Sequence, residues 1–281
     1  MGYSGVAWAG EAQPAIPEAP NLVGVLRQGL GETALSHWLH AWENVVFAWL
    51  IALGLGATLL WAIRRPSQVP QGAQNFAEWI VESFEQVFAG FLGPHVRHFL
   101  PFLGTLFLYI LAMNWAVLIP FFKSPTGGIA LSGRSVVSGG FVTTAALALC
   151  VFVYVQYTAI RSHGLLRYLH HLAGSPRGLV EICLSILTLA PLTHVLGELV
   201  RPISLSLRLF GNITGDDVLL GVFLTLGVLT LSNLHMPIGL PLQILVVPLV
   251  LLFGFVQAMI FTWLSSAYIS LSLPEESNHH E

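Results

Sequence analysis

An arginine stands among leucines near the carboxyl-terminal third of the chain, in the run Leu205-Ser-Leu-Arg208-Leu-Phe-Gly-Asn212. The segment is apolar enough to lie in a bilayer, where a cationic side chain costs from about 2.5 to above about 10 kcal/mol. Ser204, Arg208 and Asn212 are spaced by four residues, so they form one stripe on a helix. The stripe indicates a functional charge that faces a water-filled or protein-lined path.

Structural explanations of Arg208 are also open. The side chain could extend to the membrane surface, or it could neutralise an acid on a neighbouring helix. Extension to the surface is disfavoured because leucines flank Arg208, which lies far from either end of the predicted helix. Asp217 follows nine residues later, about half a turn out of phase and roughly 13 Å along the axis. Arg208 and Asp217 therefore cannot form a simple ion pair within one helix.

The composition identifies the bilayer as the surrounding medium. Hydrophobic residues make up 55% of the 281 and charged residues only 9%, whereas an ordinary soluble domain is about a quarter charged. This balance is typical of a polytopic membrane protein. Lys123 is the only lysine, so no basic patch for nucleic acid is present. Cys150 and Cys183 lie in apolar runs and indicate neither a disulfide framework nor a metal site.

Hydropathy divides the chain into an external amino-terminal tail, residues 1–43, and a single transmembrane domain, residues 44–281. Over residues 75–92, apolar residues recur at helical spacing with glutamates on another face. This pattern predicts an amphipathic helix at the membrane surface or against a neighbour. The arginine-rich loops after the first and third spans predict an external amino terminus and a cytoplasmic carboxyl terminus. We expect an all-α fold with about five crossings, at residues 44–63, 101–122, 142–160, 178–234 and 238–273.

The last two crossings are too long to stand upright in a bilayer. If residues 178–234 formed one helix, it would be about 85 Å long, nearly three times the hydrocarbon thickness of about 30 Å. The segment must therefore be broken, strongly tilted, or both. Pro191 and Pro202 are the predicted break points, because proline removes a helical hydrogen bond. Two long tilted helices that form a hairpin are the simplest arrangement.

The arginine segment resembles the signature of subunit a of the F-type ATP synthase, the stator subunit of its membrane motor. The run from Arg201 to Asn212 carries the resemblance and is highly specific. Together with the following segments, the match covers most of the chain from residue 44 onward: Phe122-Lys-Ser-Pro-Thr126, Phe152-Val-Tyr-Val-Gln-Tyr157, Gln257-Ala-Met-Ile-Phe261 and Tyr268-Ile-Ser270.

The resemblance implies proton translocation and not catalysis. In the family, the position of Arg208 faces a rotating ring of c subunits, each with one membrane carboxylate, between two offset aqueous half-channels. Asn212 matches the polar residue one turn after the arginine, Asp217 an entry-channel glutamate, and Gln257 the glutamine that faces the arginine from the last helix. The implied partners are the c ring, the peripheral-stalk b subunits, the remainder of the synthase and the lipids of a bacterial inner membrane.

Three positions depart from the family pattern. Fourteen residues before the arginine, where the family commonly has a glutamate in the exit channel, this chain has His194, and Glu198 follows one turn later. Asp216 is an additional acid beside Asp217, whereas Val250 occupies a position where many members have an ionisable residue. We therefore expect His194 and Glu198 in the exit channel and both aspartates in the entry channel.

Two other function classes compete with this assignment. A purely structural membrane anchor would not need Arg208, Asp216, Asp217 and Gln257 on facing oblique helices. A secondary transporter with an intramembrane arginine site is the alternative, and it should show an inverted repeat with paired broken helices. No such repeat is visible in the sequence. Neither a Walker-type phosphate loop nor a Gly-x-Ser-x-Gly nucleophile motif is present. The sequence therefore predicts a non-catalytic, ion-translocating subunit without a cofactor.

Overall fold

Helices form almost all of the chain that the computed structural model describes, which comprises residues 38, 42–62, 72–119, 140–164, 190–232 and 242–273. No strand occurs among these residues. In chain order the α-helices are α1 (Glu43–Ala62), α2 (Ala73–Leu92), α3 (Val96–Ala116), α4 (Gly140–His163), α5 (Ala190–Ser232) and α6 (Gln243–Ser272).

Five segments of the described chain are long and apolar enough to cross a membrane. They are Asn44–Ala62, Gln74–Ala116, Phe141–Ser162, Leu196–Gly227 and Gln243–Ser272. The second contains both α2 and α3. The predicted all-α, polytopic fold class is therefore confirmed. Most of the predicted tail, residues 178–189 of the predicted fourth crossing, and the predicted turn between the last two helices lie outside the described residues.

Helix α2 folds back against α3 and does not continue into it. A short 3-10 turn, Gly93–His95, separates the two helices, and Gly93 has a φ of 51°, which glycine adopts without strain. The rings of Phe84 and Phe107 lie 4.8 Å apart, and Arg97 forms an ion pair with Glu85 at 2.7 Å. The helix predicted over residues 75–92 thus packs Phe84, Phe88 and Leu92 against the bundle, whereas Phe76 and Trp79 nearer its start are exposed.

Helix α5 runs without interruption through Pro202. The predicted break at this proline is therefore wrong. A proline inside a helix removes one hydrogen bond, and α5 tolerates this loss because α4 and α6 both pack along it. Its 43 residues correspond to about 64 Å, which is about twice the hydrocarbon thickness. Pro191, the other predicted break point, lies at the edge of the described residues.

Helix α6 contacts α2, α3, α4 and α5 and so organises the bundle. It comes close to α3 at Gly254, where an added β-carbon would lie 2.9 Å from the β-carbon of Asn114. The Asn114 side-chain amide donates to the Gly254 carbonyl at 3.3 Å, and Trp115 Nε1 donates to the Leu251 carbonyl at 3.2 Å. Small residues and interhelical hydrogen bonds hold membrane helices together, so this contact fixes the helix against which α5 packs.

Candidate functional site

Helix α5 presents a buried and an exposed face around Arg208. Leu205, Leu209 and Ile213 recur every four residues and are at most 3% exposed, so they attach α5 to the bundle. Ser204 and Arg208 lie on the adjacent face and are exposed. Burial of the apolar stripe therefore turns the arginine away from the interior of the chain.

Arg208 has no hydrogen-bond or ion-pair partner in the part of the chain that the structure describes. Its neighbour Leu207 is 53% exposed, so the surrounding surface is apolar. A guanidinium carries five hydrogen-bond donors and a permanent charge, and lipid tails offer it no acceptor. An exposed, unpaired guanidinium at this position thus requires an anionic partner or water from outside the chain.

Asn212 connects the arginine stripe to a buried acid. Its side-chain nitrogen donates to Asp216 Oδ2 at 3.4 Å. Asn212 is half-buried and Asp216 is only 4% exposed, so the contact leads from the exposed face into the bundle. Asp217 is half-buried. The structure therefore brings Asp216 next to Asn212, although the resemblance assigns the entry-channel position to Asp217.

Gln257 lies inside the bundle. Its side chain on α6 is 6% exposed, and its Nε2 atom has no hydrogen-bond partner among the described residues. No hydrogen bond joins Gln257 to Arg208 among the described residues, and the facing of the two side chains that the resemblance implies stays a prediction. An unsatisfied buried donor costs about 1–3 kcal/mol, and the amide of Gln257 is therefore available to bind a water molecule or an incoming group.

Glu198 belongs to a polar cluster that joins three helices. Its Oε1 atom lies 2.8 Å from Arg201 Nη1 on the same helix, and its Oε2 atom accepts a hydrogen bond from Gln156 Nε2 on α4 at 3.1 Å. The Arg201 guanidinium lies 5.0 Å from the centre of the Tyr268 ring on α6. His194 lies on α5 one turn before Glu198, but its side chain is outside the described part of the structure.

Acidic side chains flank Arg208 along α5. Glu198 is ten residues before the arginine, about 15 Å along the axis, and Asp216 is eight residues after it, about 12 Å in the other direction. Both acids make contacts within the bundle, whereas Arg208 is exposed. The helix thus carries separate acidic positions on either side of a fixed cation. Val250, where the resemblance leads us to expect an ionisable residue, is fully buried and adds no charge.

Arg201 is not among the site residues predicted from the sequence. A signal was present, because opposite charges three residues apart on a helix can pair, and Glu198 and Arg201 have this spacing. The contacts with Gln156 and Tyr268 had no such signal, since these residues lie on other helices far away in the sequence. Their convergence depends on how α4, α5 and α6 pack together.

The chain is similar to known proteins over most of its length. The family model described as ATP synthase A chain matches residues 45–270. A protein named ATP synthase subunit a from Protochlamydia amoebophila is 39% identical over 93% of this chain and 91% of its own length. A protein named ATP synthase subunit a 1 from Syntrophotalea carbinolica is 35% identical over 83% of this chain and 86% of its own length. A protein named ATP synthase subunit a from Moorella thermoacetica is 35% identical over 82% of this chain and 89% of its own length. With this coverage, and with an arginine segment held on a membrane-spanning helix, the chain belongs to the ATP synthase A chain family.

Proposed function

We propose that this chain is the proton-conducting stator subunit of a rotary ATP synthase in a bacterial inner membrane, without catalytic activity of its own. The family membership and the five potential membrane spans among the described residues support this assignment. One observation carries the mechanism. Arg208 is exposed and unpaired within the described chain, and it lies between acidic positions on the same helix.

Arg208 receives the carboxylate of each rotor subunit as the c ring turns past α5. A guanidinium can bind a carboxylate through two parallel hydrogen bonds and stays charged at all relevant pH values. It therefore favours the ionised rotor acid and promotes departure of the proton. Ser204 and Gly211 beside it are small and exposed, so a rotor helix can approach the arginine closely.

The half-channels lie on either side of Arg208. Asp216, Asp217 and Asn212 line the external one, and His194 and Glu198 line the cytoplasmic one, with Gln257 contributing its amide from α6. Support for this division comes from the estimated axial offsets of Glu198 and Asp216 in opposite directions from the arginine. A proton that moves down 100 mV contributes about 2.3 kcal/mol. Because arginine does not relay protons, Arg208 prevents direct passage between the half-channels and preserves the drive for rotation.

The amino terminus is external and the carboxyl terminus cytoplasmic in this proposal. Support comes from a cavity of about 380 Å³ at one end of the bundle, which His98, Arg161 and Leu273 line together. The start of α3, the end of α4 and the end of α6 therefore meet at one end. Arg97 lies beside His98 at this end. Arginines near the ends of spans favour the cytoplasmic side, and the carboxyl terminus follows them there.

Purification from the native membrane tests the assignment. The chain is extracted in a mild detergent, and its companions are identified by mass spectrometry. We expect a ring of small c subunits with one membrane carboxylate each, the b subunits of the peripheral stalk and the remainder of the synthase. A chain that purifies alone and, after reconstitution, moves a solute in exchange for ions would instead establish the secondary transporter.

A further inference from the structure

Glu198, Arg201, Gln156 and Tyr268 form a polar cluster where α4, α5 and α6 meet. Two donors occupy the carboxylate of Glu198, since Arg201 and Gln156 contact different oxygens at 2.8 and 3.1 Å. The guanidinium of Arg201 also lies 5.0 Å from the Tyr268 ring centre, a distance typical of a cation–π contact. The side chains of Arg201 and Glu198 are 32% and 29% exposed. The charge of Arg201 is therefore compensated within the chain.

Arg201 lies almost on the same helical stripe as Arg208. Seven residues correspond to about 700° of rotation, roughly 20° short of two turns, and to about 10 Å along the axis. Both residues carry the same charged group, but Arg208 is exposed and has no partner in the described chain. Arg201 differs from Arg208 in its contacts with Glu198 and Tyr268. Without Glu198, two uncompensated guanidinium groups would stand two turns apart on one stripe.

We propose that Glu198 is a positioning residue that keeps Arg201 neutralised, so that a rotor carboxylate binds at Arg208 and not at Arg201. This inference rests on the proposed function and adds to the channel-lining role of Glu198. An uncompensated Arg201 would attract the same rotor carboxylate at a second position, on the cytoplasmic side of Arg208. The carboxylate would be retained there, and rotation would slow.

Gln156 orients the carboxylate of Glu198 toward Arg201. By donating to one oxygen of Glu198, it holds the carboxylate with its other oxygen toward Arg201. Tyr268 holds the guanidinium from the side of α6. Loss of one partner of a half-buried ion pair also destabilises a fold, so a test must separate stability from function. Proton pumping is therefore compared per assembled complex, with subunit amounts measured in the same membranes.

Four variants of the full synthase test the proposal: Glu198→Gln, Arg201→Gln, Glu198→Gln with Arg201→Lys, and Glu198→Gln with Arg201→Gln. We expect Glu198→Gln to reduce ATP-driven pumping per complex about tenfold. The combination with Arg201→Lys keeps the uncompensated charge and should be equally slow. The combination with Arg201→Gln removes that charge and should pump about threefold faster than Glu198→Gln, with the remaining loss due to the missing channel-lining carboxylate. Arg201→Gln alone should stay within about threefold of the wild type.

Crosslinking gives a measurement that would not change if Glu198 had a purely structural role. A cysteine near the rotor carboxylate is combined with a cysteine at Val200, which is 57% exposed, or at the exposed Ser204. The wild-type background should favour crosslinks at 204. Glu198→Gln should shift them toward 200, and the further change Arg201→Gln should shift them back to 204.

Three outcomes would overturn this inference. The Glu198→Gln, Arg201→Gln double variant could remain as slow as Glu198→Gln, which would make Glu198 an obligatory proton relay. Crosslinks could stay at 204 in Glu198→Gln, or the loss of pumping could follow the loss of assembled subunit alone. Arg208→Ala distinguishes these results from failure of the proposed function. If Arg208→Ala abolishes pumping but Glu198→Gln does not shift the crosslinks from 204 toward 200, the proposed function stands and only the present inference fails.

Discussion

The carboxylate of Asp216 accepts a long hydrogen bond, 3.4 Å, from the side-chain amide of Asn212, one helical turn nearer to Arg208. Asp216 is 4% exposed, whereas the adjacent Asp217 is half-buried. Neighbouring residues on a helix point about 100° apart, so the two aspartates are buried to different extents. The hydrogen bond from Asn212 connects Asp216 to the arginine stripe.

Replacement of the aspartates tests whether both line the external half-channel. We expect Asp216→Asn to slow proton flux more than Asp217→Asn, because Asp216 is buried beside Asn212. The double variant should impair flux far more than the two single effects added, since neighbouring acids in one wet path can substitute for each other. Flux in reconstituted vesicles measures all three variants. Full proton flux in the double variant would show that neither aspartate belongs to the pathway. If the flux of the double variant equals that of one single variant, the aspartate that is unchanged in that single variant does not belong to the pathway.

Crosslinking tests which face of α5 meets the rotor. We expect cysteines at Ser204 and Asn212 to form disulfides with a cysteine placed near the rotor carboxylate. Phe210 is a matched control on the same helix, because its ring packs against Phe141 on α4 with 5.9 Å between centroids. A cysteine at 210 should not crosslink. Equal yields at 204, 210 and 212 would show that α5 is oriented differently in the complex.

Reagent access tests the two-sided arrangement of the half-channels. Cysteines at His194 and Glu198 should react with silver ions or thiol reagents that are applied from the cytoplasmic side. Cysteines at Asp216 and Asp217 should react with the same reagents applied from outside. Oppositely oriented membrane vesicles provide the two conditions. Reaction of all four positions from one side would contradict two separate half-channels.

The arginine face and the helical class could be predicted from the sequence because both depend on local pattern. The four-residue spacing of Ser204 and Arg208 determines their common face whatever the rest of the chain does. The continuity of α5, the Gln156–Glu198 contact and the burial of the aspartates could not be predicted, because they depend on packing between distant segments. Helix α5 continues through Pro202 because α4 and α6 support it, and Gln156 reaches Glu198 only after α4 and α5 have packed. The different burial of the two aspartates likewise depends on which helices surround α5.

Gly254 tests the close contact between α3 and α6. Its replacement by alanine would place a β-carbon 2.9 Å from that of Asn114, so one of the two helices must move. We expect Gly254→Ala to destabilise the subunit by about 1–3 kcal/mol, as overpacking generally does, and to lower the amount of assembled complex. Gly56→Ala on α1 is the matched control, since no atom lies within 4 Å of the corresponding position. Thermal unfolding in detergent and immunoblots of membranes measure both variants, and equal stability would refute the tight contact.

Arg208 is the residue on which the proposed mechanism depends most directly. ATP-driven proton pumping is measured in membranes that carry Arg208→Ala or Arg208→Lys, with subunit assembly checked by immunoblot. Arg161→Ala is the control, because Arg161 is an exposed arginine at the end of α4, outside the proposed channel. We expect both Arg208 variants to assemble and to lose pumping, because the lost function is a fixed, bidentate charge, while Arg161→Ala retains pumping. Normal pumping with Arg208→Ala would contradict the proposed mechanism.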